Sequence, residues 1–198
     1  MELKGFLFAN FKRLAEKMIT FRLSTQEELK FIQNAIDKLF GEKIAEKFIQ
    51  NKHLIIGEGK WKEIFLVSDK MITILEAMAN KKQPYSLGMQ IGELDKNKKF
   101  KLSLEAVFEI VKFTSHLIKL TAKGAQTILY GRNISFSQVD KICYDDAKEG
   151  DYTILLDENG FPIGLGKILH DLAKMQLIRF KICIKNIIDL GWYLRKGE

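Results

Sequence analysis

The stretch from Gly150 to Lys167, GDYTILLDENGFPIGLGK, leaves the chain little choice of local structure. Tyr152 to Leu156 is an apolar run rich in strand-forming residues, Asp157-Glu158-Asn159-Gly160 is a turn cluster ending in Asn-Gly, and Phe161 to Leu165 resumes the apolar run. Two such runs around an Asn-Gly turn predict a β-hairpin. Gly150, Gly164 and Gly166 mark places where the backbone must bend or another strand must come close.

The sequence around the hairpin predicts a small β-rich unit. Leu117 to Leu120 reads as a short strand. Lys123-Gly124-Ala125 opens a brief helix through Tyr130, and Gly131-Arg132-Asn133 ends it. Ile134, Phe136 and Val139 then lead toward Ile142. Beyond the hairpin, Ile178 to Lys185 (IRFKICIK) alternates Ile178, Phe180, Ile182 and Ile184 with Arg179, Lys181, Cys183 and Lys185. A strand there would put apolar side chains on one face and three cations on the other.

The first half mixes helical and strand periods. Thr25 and Glu28 have capping-box spacing, and Leu29, Ile32, Ile36, Leu39 and Phe40 recur on one helical face. Gly41 breaks that helix, and Ile44 and Phe48 resume it. Leu54 to Ile56, the Gly57-Glu58-Gly59 turn and Trp61 to Val67 read as a second hairpin. Ser68 or Asp69 caps a helix through Ala79 with Met71, Ile74, Leu75 and Met78 inward. A strand over Ser86 to Leu94 follows, then Phe100 and Leu102. Ser103 caps a helix burying Val107, Ile110, Val111 and Thr114. These elements predict an α+β domain in which helices cover short antiparallel strands.

Residues 1–21 fit neither pattern. Phe6, Phe8, Phe11, Leu14 and Met18 form a loose apolar stripe interrupted by Lys12, Arg13 and Lys17. The stripe reads as an amphipathic helix or as an extension that docks on the body, and because the charges sit among the apolar residues a membrane-surface helix is disfavoured. The expected organisation is therefore 1–21 as an extension, 22–115 as the α+β domain and 116–198 as the β-rich domain.

Charge narrows the functional classes. The chain carries a formal net charge of +7, which favours a polyanionic partner, because clustered Lys and Arg displace counterions from phosphates. Its distribution is more informative than its total. From Asp140 to Glu158, seven acids face two cations; from Lys167 to Lys196, seven cations face two acids. A small β-domain with one basic flank suits a phosphate backbone.

Other chemistries find little support. No apolar run approaches the ~20 residues of a membrane span, and no signal-peptide pattern opens the chain, so an intracellular, soluble protein is expected. His53, His116 and His170 are widely spaced, and Cys143 and Cys183 have no CxxC spacing; no metal site or disulfide is expected, and both thiols are read as buried. There is no GxSxG elbow. GLGK at Gly164 lacks the upstream glycine and the following Ser or Thr of a phosphate loop. Asp145-Asp146 and Asp157-Glu158 read as solvated turn residues rather than acid-base pairs.

KGAQTILYGRNI, then GDYTILLDENGFPIGLGK and DLGWYLR, resembles a PUA domain, the small RNA-binding β-barrel named after pseudouridine synthases and archaeosine transglycosylases. With SLGMQIGELDKNKKFKLSLEA in the first half, the chain is similar from about Arg22 onward to the archaeal and eukaryotic Nip-seven family of large-subunit ribosome assembly factors. The resemblance implies an α+β domain, an α/β sandwich of antiparallel strands with helices, followed by a PUA-type β-barrel.

It also implies a monomeric, non-enzymatic factor without cofactors, cytoplasmic or, in a eukaryote, nucleolar or nuclear. Its expected partners are uridine-rich single-stranded precursor ribosomal RNA, other assembly factors and the exosome. The family's basic residues near the last strands correspond here to Lys174, Arg179, Lys181 and Lys185, with Lys167 beside them. The general PUA pattern adds Lys123, Gly124, Ala125 and Arg132. One departure stands out: Ala122-Lys123-Gly124 replaces the Lys-Pro-Gly opening of eukaryotic members. The alternative is an RNA-modification enzyme or its accessory subunit, since PUA domains often accompany catalytic modules.

Overall fold

The computed structural model describes residues 19–59, 61–77, 84, 86–95, 97 and 99–195. The expectations for residues 1–18, for Met78 and for Lys196 lie outside them. The chain forms two compact units, one of residues up to 32 with 49–106, the other of 33–48 with 107–198.

The first unit is built on a five-stranded antiparallel meander, β1 (Thr20–Leu23), β2 (His53–Glu58), β3 (Lys62–Val67), β4 (Met89–Leu94) and β5 (Phe100–Leu102), paired in chain order. The predicted hairpin is the β2–β3 pair, in register from His53↔Val67 to Glu58↔Lys62. Helix α1 (Gln26–Phe40) leaves β1, and α2 (Ile44–Ile49) follows it. The capping box is formed: the Glu28 N–H donates to Thr25 Oγ1 at 3.2 Å, and the Thr25 N–H to Glu28 Oε2 at 3.0 Å.

Glu28 does more than cap. Arg22 on β1 donates to both its carboxylate oxygens at 2.8 Å and also reaches Glu58 on β2 at 2.9 Å, while Lys62 on β3 lies 3.4 Å from Glu28. One small charge network thus ties the first turn of α1 to three strands. The Arg22 hydrogen bonds hold the Glu28 carboxyl down at about 2, from its ordinary 4.5.

Helix α3 (Asp69–Ala77) lays Met71, Ile72 and Leu75 against a core of Ile55, Phe65, Val67 and Leu87. Its inward face differs from the predicted one, since Ile74 is half exposed and Ile72 takes its place. Helix α4 (Leu104–Ile110) is capped by Ser103, whose hydroxyl accepts from the Ala106 N–H at 3.2 Å. It ends before Thr114, which is buried and donates to the Phe40 carbonyl at 3.0 Å.

Besides the second half of α1, most of α2 and the last residues of α4, the second unit contains β6 (Leu117–Leu120), α5 (Ala122–Leu129), β7 (Ile134–Ser135), a 3-10 turn (Phe136–Gln138), β8 (Val139–Ile142), β9 (Tyr152–Leu156), β10 (Pro162–Ile168), α6 (Leu172–Leu177), β11 (Ile182–Asp189) and α7 (Trp192–Arg195). The sheet order is β7-β11-β10-β9-β6-β8. All neighbours are antiparallel except β6 and β9.

That order forces curvature. In a flat sheet the first and sixth strands would stand about 24 Å apart at ~4.8 Å per strand. Here those two strands are joined by three residues, which as a 3-10 turn at ~2 Å per residue span well under 10 Å. The sheet must therefore curl until its edges nearly meet, giving a barrel. Ile118, Leu120, Ile128, Ile134, Leu155, Ile168 and Ile184 fill its interior.

The hairpin that opened the sequence reading is β9–β10, Lys167↔Tyr152 to Pro162↔Leu156, with an irregularity between Pro162 and Gly164. Asp157 organises its turn, accepting from the Asn159 and Phe161 N–H groups at 2.9 and 2.8 Å. Close approach explains Gly164: a Cβ there would lie 2.7 Å from the Ile188 carbonyl oxygen of β11.

The IRFKICIK segment departs from its prediction. Ile178 ends α6, Arg179 and Phe180 form a turn closed by the Lys181 N–H on the Ile178 carbonyl (2.7 Å), and β11 begins only at Ile182. The alternation fails as well. A register shift between Ile182 and Ile184 lets Cys183 and Ile184 both be buried, while Phe180 is 83% exposed. Apolar spacing alone cannot reveal such a bulge.

The charge network gives the first test. Glu28→Gln keeps the capping box and removes the ion pair, so it should destabilise the protein by about 1 kcal/mol at pH 7, solvent screening at Arg22 limiting the loss. Because the folded carboxyl titrates below the unfolded one, its stabilisation is complete above about pH 4.5 and is lost as pH falls toward 2. Urea midpoints of wild type and variant should differ at pH 7 and converge near pH 2.

Candidate functional site

Thr121 starts helix α5 and Gln138 ends the turn that closes the barrel; the two are joined. The Gln138 carbonyl accepts from both the N–H and the hydroxyl of Thr121, at 3.0 and 3.2 Å. Its side chain accepts from the Ser135 N–H at 3.0 Å and donates to Thr127 Oγ1 at 2.7 Å. Gly124 lies against it: a Cβ would meet the Gln138 carbonyl oxygen at 2.4 Å. Gly124 and Ala125 are both buried, and the Gly124 N–H is used by the Thr121 cap at 3.2 Å. Lys123 and Arg132, before and after this helix segment, are exposed.

The other end of α5 is held by the C-terminal segment. Asp189 is only 3% exposed. Its carboxylate takes two hydrogen bonds from Arg195, at 2.9 and 3.1 Å, and one from the Asn186 amide at 2.8 Å. Arg195 also donates to the Leu129 carbonyl. A buried carboxylate is tolerable only with such compensation, so Asp189 and Arg195 of the DLGWYLR motif are architectural.

The remaining expected cations fall into two groups. Arg179 and Lys181 lie in the turn between α6 and β11, with Lys174 exposed on α6. This turn touches the closing turn of the barrel: the Ser137 N–H donates to the Arg179 carbonyl at 2.9 Å, and Ile182 pairs with Ser135. Lys167 and Lys185 form the second group, directly opposite one another on β10 and β11. Among the described residues, none of these five cations has a carboxylate within ion-pair distance, whereas Lys119 and Arg195 of the same unit do.

Sequence reasoning missed the apolar surface mixed with the first group. Leu177 and Phe180 are among the most exposed large apolar side chains described, at 86% and 83%, and Ile182 is half exposed. The alternation predicts Phe180 on the apolar face of a strand, opposite the cations; the turn instead leaves it exposed between Arg179 and Lys181. The hydroxyls of Ser135 and Ser137, 2.9 Å apart, lie on the adjoining closing turn.

Cys183, His116 and Tyr144 pack within the second unit. Burial pushes the Cys183 thiol up to about 11, and its Sγ lies 3.6 Å from the Ile134 carbonyl. Cys143, expected buried, is exposed; it lies just beyond the end of β8, its N–H donating to the Leu117 carbonyl at 2.9 Å. His116 stacks on Tyr144 with ring centroids 4.7 Å apart, and burial raises the Tyr144 hydroxyl above its ordinary value. Among the described residues, no three His, Cys, Asp or Glu side chains converge as a metal site. No described helix is long and apolar enough to cross a membrane.

Comparison with known proteins places most of the chain in one family. Residues 21–104 match the NIP7/UPF0113 pre-PUA domain, and residues 116–198 match the UPF0113 PUA domain. The chain belongs to the NIP7/UPF0113 family.

Its relatives include a UPF0113 protein of Archaeoglobus fulgidus, 27% identical over 180 residues, covering 89% of this chain and 95% of the relative. The 60S ribosome subunit biogenesis protein NIP7 of Saccharomyces cerevisiae is 25% identical over 184 residues, covering 89% and 97%. Two solved structures share the fold of this family member. A hypothetical protein of Pyrococcus horikoshii has a TM-score of 0.59 at 16% identity, covering 88% of this chain and 99% of its own. A PUA domain structure from Aeropyrum pernix has a TM-score of 0.60 at 11% identity, covering 90% and 91%.

The packing at Gly124 makes a second prediction. Gly124→Ala would drive a methyl group into the Gln138 carbonyl, so it should destabilise the protein by about 2 kcal/mol despite alanine's better helix propensity. Ala122→Gly, at an exposed position of the same helix turn, should cost about 1 kcal/mol or less. Equal urea midpoints for Gly124→Ala and wild type would refute the close packing.

Proposed function

We propose that this protein is a non-catalytic RNA-binding factor in the assembly of the large ribosomal subunit. The observation that carries this reading is the turn between α6 and β11, where Phe180 stands 83% exposed between Arg179 and Lys181. An exposed aromatic flanked by unpaired cations is the arrangement by which proteins hold single strands, bases stacking on the ring and phosphates on the charges. Support for the process comes from the relatives named as 60S ribosome subunit biogenesis proteins in two yeasts.

In this reading the PUA-type barrel, from about residue 116, contacts the RNA and the preceding domain contacts other assembly factors, the exosome among them. The preferred RNA is a uridine-rich single strand of precursor ribosomal RNA, and the protein acts as a cytoplasmic monomer, or in the nucleolus of a eukaryote. Arg179 and Lys181 hold phosphates, Phe180 stacks on a base, and Lys174 extends the positive field along α6. Lys123 and Arg132 contribute from the two ends of α5. Gly124 and Ala125 act by shaping that helix against Gln138.

Arg179→Gln with Lys181→Gln should weaken binding of a fluorescein-labelled uridine dodecamer and flatten the slope of log affinity against log salt by about 1.4, at ~0.7 per phosphate contact on a single strand. Phe180→Ala should cost about tenfold in affinity and leave the slope unchanged. Titrations at several salt concentrations that show wild-type affinity and slope for both variants would sink the assignment of this turn.

A further inference from the structure

Lys185, Lys167 and Tyr152 form one row across three strands of the barrel. The register pairs Lys185 with Lys167 and Lys167 with Tyr152, so all three side chains leave the same face of the sheet. Lys167 Nζ lies 5.6 Å from the centre of the Tyr152 ring. Two like charges directly opposite each other in an antiparallel ladder destabilise it. Among the described residues neither lysine has a carboxylate partner to offset this. Among the described residues the only compensation is the Tyr152 ring, a weak partner for one of the two.

A row that is unfavourable by itself is favourable once an anion sits between the ammonium groups. An anion in that position would draw Lys167 away from the ring, because a charge-assisted hydrogen bond outweighs an exposed cation–π contact. The vacated ring face is then free to take a planar group. A phosphate joined to a planar base is a nucleotide.

We propose that this row is a nucleotide subsite separate from the Arg179–Lys181 turn: Lys167 and Lys185 share one phosphate of a single strand, and Tyr152 stacks on the adjoining base. This rests on the RNA-binding reading and extends it. Lys185 lies four residues beyond Lys181, so a strand leaving the turn would travel ~13 Å along β11 to reach the lysine pair and then cross β10 toward β9. Tyr152 becomes a base-stacking residue, a role that its sequence position within the hairpin's first strand does not suggest.

The test uses the full chain and the uridine dodecamer. Lys167→Gln with Lys185→Gln should flatten the salt slope by about 0.7, the value for one shared phosphate, rather than the ~1.4 of two separate ones. Tyr152→Leu should cost about tenfold in affinity with the slope unchanged, and Tyr152→Phe should bind as wild type does. Irradiating the wild-type protein with a 5-iodouridine dodecamer should place a crosslink on Tyr152 by peptide mass spectrometry, a readout that does not depend on a variant's folding. If the turn variants weaken binding while the row variants bind as wild type and Tyr152 carries no crosslink, the row is overturned and the turn stands. If the row variants weaken binding and the turn variants do not, the row stands and the turn assignment falls. Failure of the wild-type protein to bind the dodecamer or ribosomal RNA would overturn both.

Discussion

The barrel depends on three residues. Phe136, Ser137 and Gln138 join strands that a flat sheet would hold far apart, so their shortness dictates the curvature of all the others. A turn under that constraint needs anchoring, and Gln138 supplies it with its carbonyl on Thr121 and its side chain on Ser135 and Thr127. Helix α5 starts on this anchor, which is why its third residue must be glycine. At the helix's far end Arg195 grips the Leu129 carbonyl and the buried Asp189 together. Barrel closure and helix placement are therefore one problem with one set of hydrogen bonds.

The candidate surface follows from the same closure. Because the Ser137 N–H binds the Arg179 carbonyl, the turn between α6 and β11 is docked on the closing turn and its side chains are turned outward. The turn places an aromatic and two cations in solvent beside the closing turn of the barrel. The interior, by contrast, is filled mainly by apolar side chains, with the buried Cys183 thiol among them.

Much of the architecture was legible in the chain. The Asn-Gly turn between two apolar runs identified β9–β10, the Gly57-Glu58-Gly59 turn identified β2–β3, and the Thr25–Glu28 spacing located the start of α1. These are local signals, resting on backbone preferences and side-chain periods within a few residues. The misreadings all involve packing against distant residues. The face of α3 depends on where the Ile55–Phe65 core lies, which shifts Ile72 inward and Ile74 outward. The false strand over Ile178 to Lys181 satisfied the alternation rule, and nothing in its own residues disclosed that α6 precedes it or that a bulge interrupts β11.

The sequence by itself determined the hairpins, the helix caps, the mixed α+β class, the basic character of the last segment and the kinship with the NIP7/UPF0113 family, because each is written in local pattern or composition. Only the tertiary structure decided which residues of that segment face solvent and which cations stand together. Strand order brings Lys167 beside Lys185 across eighteen positions of chain and beside Tyr152 across fifteen. Pairing between strands is a long-range choice fixed by closure of the whole sheet, and no window of sequence contains it.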